Sequence, residues 1–139
     1  MRINVADSDE SILSAFDAMK HLREFDDAQA FLRQVRQQQR DGYLLASGAV
    51  DGRVVAAAGF RLGEKLAWGR HLYVDDLVTI PSERSRGFGR SLLNWLKNYG
   101  RDAGCSQLHL DSGVQRKDAH RFYEREGLFA ASLHFRCAL

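Results

Sequence analysis

The sequence predicts an α/β fold of the α+β kind, with one mixed, mostly antiparallel sheet of about six to seven strands and helices on both faces. Two apolar segments, Tyr43–Val50 and Arg53–Phe60, are joined by Asp51-Gly52, which is typical of a tight hairpin between antiparallel strands. The helical pattern between Ile80 and Gln107 is long enough for a crossover. The strand that follows it is therefore expected to run parallel to the strand before it.

Length and composition favour one domain over residues 1–139. The chain has 139 residues, 45% of them hydrophobic, which suits a single compact core. No apolar stretch approaches the roughly 20 residues that span a bilayer, and the acidic start, with Asp7 and Glu10, does not resemble a signal peptide. We therefore expect a cytoplasmic protein that does not bind a membrane. Cys105 and Cys137 lack metal-ligand spacing, so no metal site is expected.

The first part of the chain reads as a strand followed by two helices. The strand covers Arg2–Val5, and Asp7 three residues before Glu10 predicts a capping box at the start of the first helix. Its apolar residues repeat at helical spacing: Ile12, Leu13, Phe16, Met19 and Leu22. Asp26-Asp27 opens the second helix, which ends near Asp41-Gly42.

A long strand follows the hairpin and leads into the next helix. Gly63-Glu64-Lys65 is interpreted as a turn, and Trp68–Ile80 as the third strand of the meander, ended by Pro81. An amphipathic pattern runs from Phe88 to Ala103, with Gly104 as its C-terminal stop.

The last part of the chain is predicted to add two strands and one helix. Gln107–Asp111 is a short strand, and Arg116–Glu126 is a helix closed by Gly127. Apolar residues alternate with polar ones over Leu133–Leu139, which predicts a final strand.

A glycine-rich loop gives the strongest functional signal. Residues 84–89, Arg-Ser-Arg-Gly-Phe-Gly, stand between the apolar run Leu77–Ile80 and a helix start at Ser91. Glycines let successive backbone N–H groups converge, and the helix adds unpaired amides and the positive end of its dipole. Three arginines in and beside the loop add positive charge. This segment therefore predicts a phosphate-binding site.

Two separated motifs resemble those of the GNAT acyl-CoA-dependent N-acetyltransferases. The first runs from Leu77-Val78-Thr79-Ile80-Pro81 through Arg84-x-x-Gly87-x-Gly89, and the second covers Asp118–Gly127. The predicted element order also resembles that family over nearly the whole chain. Arg116 departs from the pattern, because many members have asparagine there, and the contact of that asparagine is not carried over.

The resemblance implies acetyl-CoA as the acyl donor, held by the glycine loop and the strand before it. The amide groups of its pantetheine arm are expected to pair with backbone groups of Val78 and Ile80. The residues expected to bind this cosubstrate are Leu77, Val78, Thr79, Ile80, Arg84, Ser85, Arg86, Gly87, Phe88, Gly89, Arg90 and Ser91.

Amine acetylation needs a base for the amine and an acid for the departing thiolate. The resemblance implies Tyr123 as the acid. Asp75 and Asp76, just before the cofactor strand, are the candidate bases or amine anchors. Strand alternation predicts that these two carboxylates face opposite sides, with Asp76 favoured as the base.

The acceptor is expected to be a primary amine of a small molecule or peptide. The segment from Arg116 to Leu139 also resembles small-molecule members such as the aminoalkylphosphonate acetyltransferases. Two alternatives stay open: a non-catalytic acyl-CoA-binding or sensing domain, and a transferase directed at tRNA or protein. The net charge of +2 disfavours a nucleic-acid partner. The sequence leaves open whether the protein forms a homodimer.

Overall fold

The computed structural model describes all residues, Met1 to Leu139, and contains one five-stranded sheet in the order β1-β2-β3-β4-β5. The strands are β1 (Arg2–Val5), β2 (Leu44–Val50), β3 (Arg53–Lys65), β4 (Gly69–Thr79) and β5 (Gln107–Leu110). The helices are α1 (Asp9–Ser14), α2 (Phe16–Met19), α3 (Ala28–Gln39), α4 (Phe88–Asp102) and α5 (Lys117–Arg125), and a 3-10 turn covers Pro81–Glu83. Strands β1 to β4 pair antiparallel with their neighbours. The predicted mixed, mostly antiparallel sheet is confirmed, with five strands instead of six to seven.

The final strand predicted at Leu133–Leu139 is wrong. The chain has no regular secondary structure after Gly127, and Phe135 is 86% exposed. Alternation assigns side chains to two faces but does not supply a neighbouring strand. A strand is stable only where a neighbour accepts its backbone hydrogen bonds. This missing strand accounts for the lower strand count.

Capping at the start of α1 uses a different residue from the one predicted. Ser8 is the N-cap, and its side chain accepts a hydrogen bond from the N–H of Ser11, whose hydroxyl accepts one from the N–H of Ser8. This arrangement is a capping box one residue later than the predicted pair of Asp7 and Glu10. The helix breaks at Ala15, which is fully buried. The predicted start of α3 is confirmed, because Asp27 caps it.

The two hairpins of the meander differ in how well the sequence predicts them. Asp51 and Gly52 both have positive φ, 51° and 81°, as a tight hairpin turn requires, and that prediction is confirmed. The turn predicted at Gly63–Lys65 is wrong, because β3 continues to Lys65 and Gly63 pairs with His71. The chain reverses just after Lys65 instead.

Two compact units make up the chain, Met1–His109 and Leu110–Leu139. In the first unit, α1, α2 and α3 cover the sheet face that carries Ala57 and Val78. Phe60 projects from the opposite face and packs against Trp95 and Tyr99 of α4, with ring centroids 6.0 and 5.1 Å away. Helices therefore cover both faces, as predicted. The second unit contains α5.

Candidate active site

A β-bulge in β4 determines where the two candidate aspartates point. Gly59 of β3 pairs with Asp76 and the next residue, Phe60, pairs with Val74, so Asp75 has no counterpart in β3. An extra residue of this kind interrupts the alternation of side chains along a strand. The prediction that Asp75 and Asp76 face opposite sides is therefore wrong. Both carboxylates form one cluster with the side chains of Arg23, Tyr43 and Arg61, which we call the aspartate cluster.

Asp76 lies at the centre of that cluster. Its Oδ1 accepts a hydrogen bond from Nε of Arg23 at 3.0 Å, and its Oδ2 accepts one from the hydroxyl of Tyr43 at 2.9 Å. The Asp76 side chain is only 14% exposed. Both of its oxygens therefore have partners, one of them positively charged.

Asp75 is held by a second arginine. Its Oδ2 accepts a hydrogen bond from Nε of Arg61 at 2.9 Å, and its backbone carbonyl accepts one from Nη2 of Arg23 at 3.2 Å. Arg61 also donates from Nη1 to the carbonyl of Asp41 at 3.1 Å, just beyond the C-terminus of α3. Arg23 and Arg61 thus neutralise the two carboxylates at the bulge.

Tyr43 reaches Asp76 through a notch left by a glycine. Tyr43 is 3% exposed, and a Cβ added at Gly59 would lie 1.8 Å from its hydroxyl oxygen. Burial raises the pKa of Tyr43 well above its ordinary value, and the neighbouring charge of Asp76 raises it further. The phenol therefore stays protonated and donates its hydrogen bond to the carboxylate. Arg61 lies over the ring at 5.5 Å from its centroid.

At the end of β4, after the bulge, only the backbone groups that point away from β3 can pair with a ligand. The N–H of Ile80 donates to the carbonyl of Val55 at 2.9 Å, which directs it toward β3. Backbone groups alternate in direction along a strand, so those of Val78 point the same way. The expected pairing of Val78 and Ile80 with pantetheine is therefore corrected: Leu77 and Thr79 have backbone groups directed away from β3.

The predicted phosphate loop has the backbone shape that such a site needs. Ser85 and Gly87 have positive φ, 64° and 82°, and Gly87 is the N-cap of α4. No side chain caps that helix, whereas Ser8 and Asp27 cap α1 and α3. Its first amides are therefore available to an anion. These residues fit a phosphate group of coenzyme A.

An acidic residue organises the arginines around this loop. Glu83 accepts from Arg86 and, at 3.4 Å, from Arg53. Arg84 is exposed. The loop thus keeps positive charge at its surface while one of its arginines is held in place by Glu83.

In the second unit, Tyr123 lies on α5. Its ring packs beside that of Phe122 with centroids 5.4 Å apart. Burial raises the pKa of Tyr123, and the charge of Arg116 acts in the opposite direction. The hydroxyl is therefore protonated at neutral pH, as a general acid must be.

Comparison with known proteins identifies the family. A family model described as the acetyltransferase (GNAT) family matches residues 10–128. The chain belongs to the GNAT acetyltransferases. This acetyltransferase is 34% identical over 131 residues to an uncharacterized N-acetyltransferase, YhdJ, of Bacillus subtilis (strain 168), covering 93% of the chain and 92% of that protein. It is 33% identical over 112 residues to an aminoalkylphosphonate N-acetyltransferase of Salmonella typhimurium, covering 72% and 71%.

A solved structure supports the fold of this acetyltransferase. The chain matches an aminoglycoside N-acetyltransferase, AAC(6')-Iy, in complex with CoA, with a TM-score of 0.81, 14% identity, and coverage of 99% of this chain and 95% of that one. At this identity the likeness establishes the fold. None of the helices of the acetyltransferase has the length and hydrophobicity to cross a membrane.

Sequence reasoning missed three residues of the aspartate cluster. Arg23 and Tyr43 lie 53 and 33 residues before Asp76, and Arg61 lies 14 residues before Asp75. No motif joins them. Gly59, inside a predicted strand, is a local signal, because an isolated glycine in a strand marks a bulge or a close approach.

Proposed function

We propose that this enzyme transfers the acetyl group of acetyl-CoA to a primary amine of a small molecule or peptide, by direct attack within a ternary complex. The observation that carries the proposal is the course of β4. The acidic pair lies at its bulge, and the same strand leads into the loop at residues 84–89 and the uncapped start of α4.

The glycine loop would hold the phosphates of acetyl-CoA. Amides from Arg84 to Gly89 and the first turn of α4, with Arg90 and Ser91, supply several fixed donors for phosphoryl oxygens. Leu77 and Thr79 would supply backbone groups for the pantetheine arm. These contacts orient the thioester so that an amine can reach its carbonyl carbon.

The reaction balances without a further reagent. Asp76 or Asp75, directly or through water, takes a proton from the substrate ammonium, and the freed nitrogen lone pair forms a C–N bond to the acetyl carbon. The C–S bond then breaks, and the thiolate takes a proton from Tyr123. The nitrogen, which still carries a positive charge after the attack, loses its second proton, and this proton returns to Tyr123 directly or through water. The products are the N-acetyl amine, coenzyme A and one proton returned to solvent.

Thiol release tests this function. The enzyme is incubated with acetyl-CoA and a panel of small amines, amino acids and polyamines, and the products are examined by mass spectrometry. We expect thiol release that depends on at least one primary amine and yields its N-acetyl derivative. Binding of acetyl-CoA without turnover of any amine would contradict the proposal and favour an acyl-CoA-sensing domain.

A further inference from the structure

Each oxygen of Asp76 already has a partner and its side chain is only 14% exposed, so a substrate amine gains direct access to this carboxylate when one of the two partners moves. Tyr43 is 3% exposed and its hydroxyl occupies the notch at Gly59, so its displacement would disrupt the core. The Arg23 side chain is 54% exposed and comes from the connection between α2 and α3. Arg23 is therefore the partner that can move.

Open space lies next to Arg23. It borders a surface depression of about 580 Å³, together with Lys20, Glu24, Phe25 and Asp26. A small molecule in this depression would be next to a guanidinium that already donates to Asp76 and to the carbonyl of Asp75. Arg23 thus borders the depression and also binds the acidic pair.

Charge balance restricts what can replace Arg23 at Asp76. The cluster holds two carboxylates, Asp75 and Asp76, and two guanidiniums, Arg23 and Arg61. A substrate ammonium that takes the place of Arg23 separates that guanidinium from Asp76. Any anion on the substrate then competes for the guanidinium with the carboxylates of Glu24 and Asp26, which border the same depression. An anionic group on the same substrate would restore the balance, and a guanidinium pairs well with planar or forked oxyanions.

Resting on the proposed function, we propose that the acceptor is a primary amine that also carries an anionic group, a phosphonate or a carboxylate, a few bonds from the nitrogen. Its ammonium replaces Arg23 at Asp76, and Arg23 turns to bind the anion. Arg23 is thus a specificity-determining residue that favours acceptors with an anionic group.

Three acceptors of similar length test the exchange: 2-aminoethylphosphonate, 3-aminopropanoate and n-propylamine. We expect the wild-type enzyme to prefer an anionic amine over propylamine in kcat/KM, and the ratio between the two anionic amines shows which anion fits. Arg23→Ala should raise the KM for the preferred anionic amine by about 10- to 100-fold, the loss of one charge-assisted pair. The KM for propylamine should stay the same or fall, because Asp76 is released. Arg23→Lys should restore part of the preference.

Arg36→Ala is the control, because Arg36 also forms an ion pair with an aspartate, Asp9, at 2.7 Å, and lies outside the aspartate cluster. It should leave the acceptor preference unchanged. Equal changes in KM for anionic and neutral amines in Arg23→Ala would overturn this inference, as would a wild-type preference for propylamine. If none of the amines supports the release of coenzyme A from acetyl-CoA, the proposed function itself is overturned, and this inference with it.

Discussion

Gly59→Ala should destabilise the protein because it closes the notch that admits Tyr43. The added Cβ would lie 1.8 Å from the Tyr43 hydroxyl oxygen and 2.3 Å from Cζ, so the whole ring must shift. Overpacking of this kind costs about 1–3 kcal/mol. The shift also breaks the hydrogen bond from Tyr43 to Asp76, and a hydrogen bond to a charged group is worth about 1.5–3 kcal/mol. Together we expect a loss of about 2.5–6 kcal/mol.

Urea unfolding measures this loss, and Gly63→Ala provides the matched control. Gly63 lies on the same strand, and a Cβ there would meet only the His71 ring, at 3.4 Å, an ordinary contact. We expect the control to change stability by less than about 1 kcal/mol. For a slope of about 2 kcal/mol per molar urea, Gly59→Ala should lower the midpoint by about 2 M. Equal midpoints for the two variants would refute the close approach of Tyr43 over Gly59.

The remaining predictions concern the proposed catalytic residues and the titration of the buried Tyr43. Tyr123→Phe keeps the ring but removes the proposed acid, so kcat should fall by about 10²- to 10⁴-fold with little change in acetyl-CoA affinity. Tyr99→Phe serves as the control. If a folded Tyr123→Phe variant keeps the wild-type kcat while chemistry limits the rate, Tyr123 is only a packing residue. Asp76→Asn should lower kcat/KM and flatten the acidic limb of its pH profile, whereas Asp75→Asn should mainly reduce stability or substrate affinity; pH dependence lost only in Asp75→Asn would assign the base to Asp75 instead. The raised pKa of Tyr43 means that the folded protein keeps a phenol proton that the unfolded chain loses above its ordinary value of 10.0, so this stabilisation is complete below pH 10 and disappears as pH rises. Tyr43→Phe should therefore reduce the alkaline fall in unfolding free energy by about 1.4 kcal/mol per pH unit, and parallel stability curves for the two proteins would argue against a buried phenol.

Features encoded by a few adjacent residues could be predicted from the sequence. The hairpin at Asp51-Gly52 requires positive φ at two residues, and Asp-Gly meets that need locally. Asp27 marks the start of α3 in the same way. Where two adjacent residues could both cap a helix, the sequence did not decide between them. The predicted cap of α1 was therefore one residue off, because Ser8 caps the helix although Asp7 stands beside it.

Features that depend on distant partners could not be predicted. The alternation in Leu133–Leu139 does not show whether a second strand is present to pair with it. The bulge at Asp75 reverses the alternation on which the placement of the aspartates depended. Arg23 and Arg61 reach the aspartates only through the tertiary fold, and no spacing in the chain indicates them.

Calorimetric titration with acetyl-CoA tests the central claim most directly, that the loop at residues 84–89 and the start of α4 bind the phosphates of the acyl donor. We expect binding by the wild-type protein and a loss of about 10-fold or more in Gly89→Asp, which puts a negative charge in the first turn of α4. Asn98→Asp, which adds the same charge on an exposed residue near the other end of that helix, should bind as the wild type does. Absence of heat at millimolar acetyl-CoA, or unchanged affinity in a folded Gly89→Asp variant, would contradict the claim.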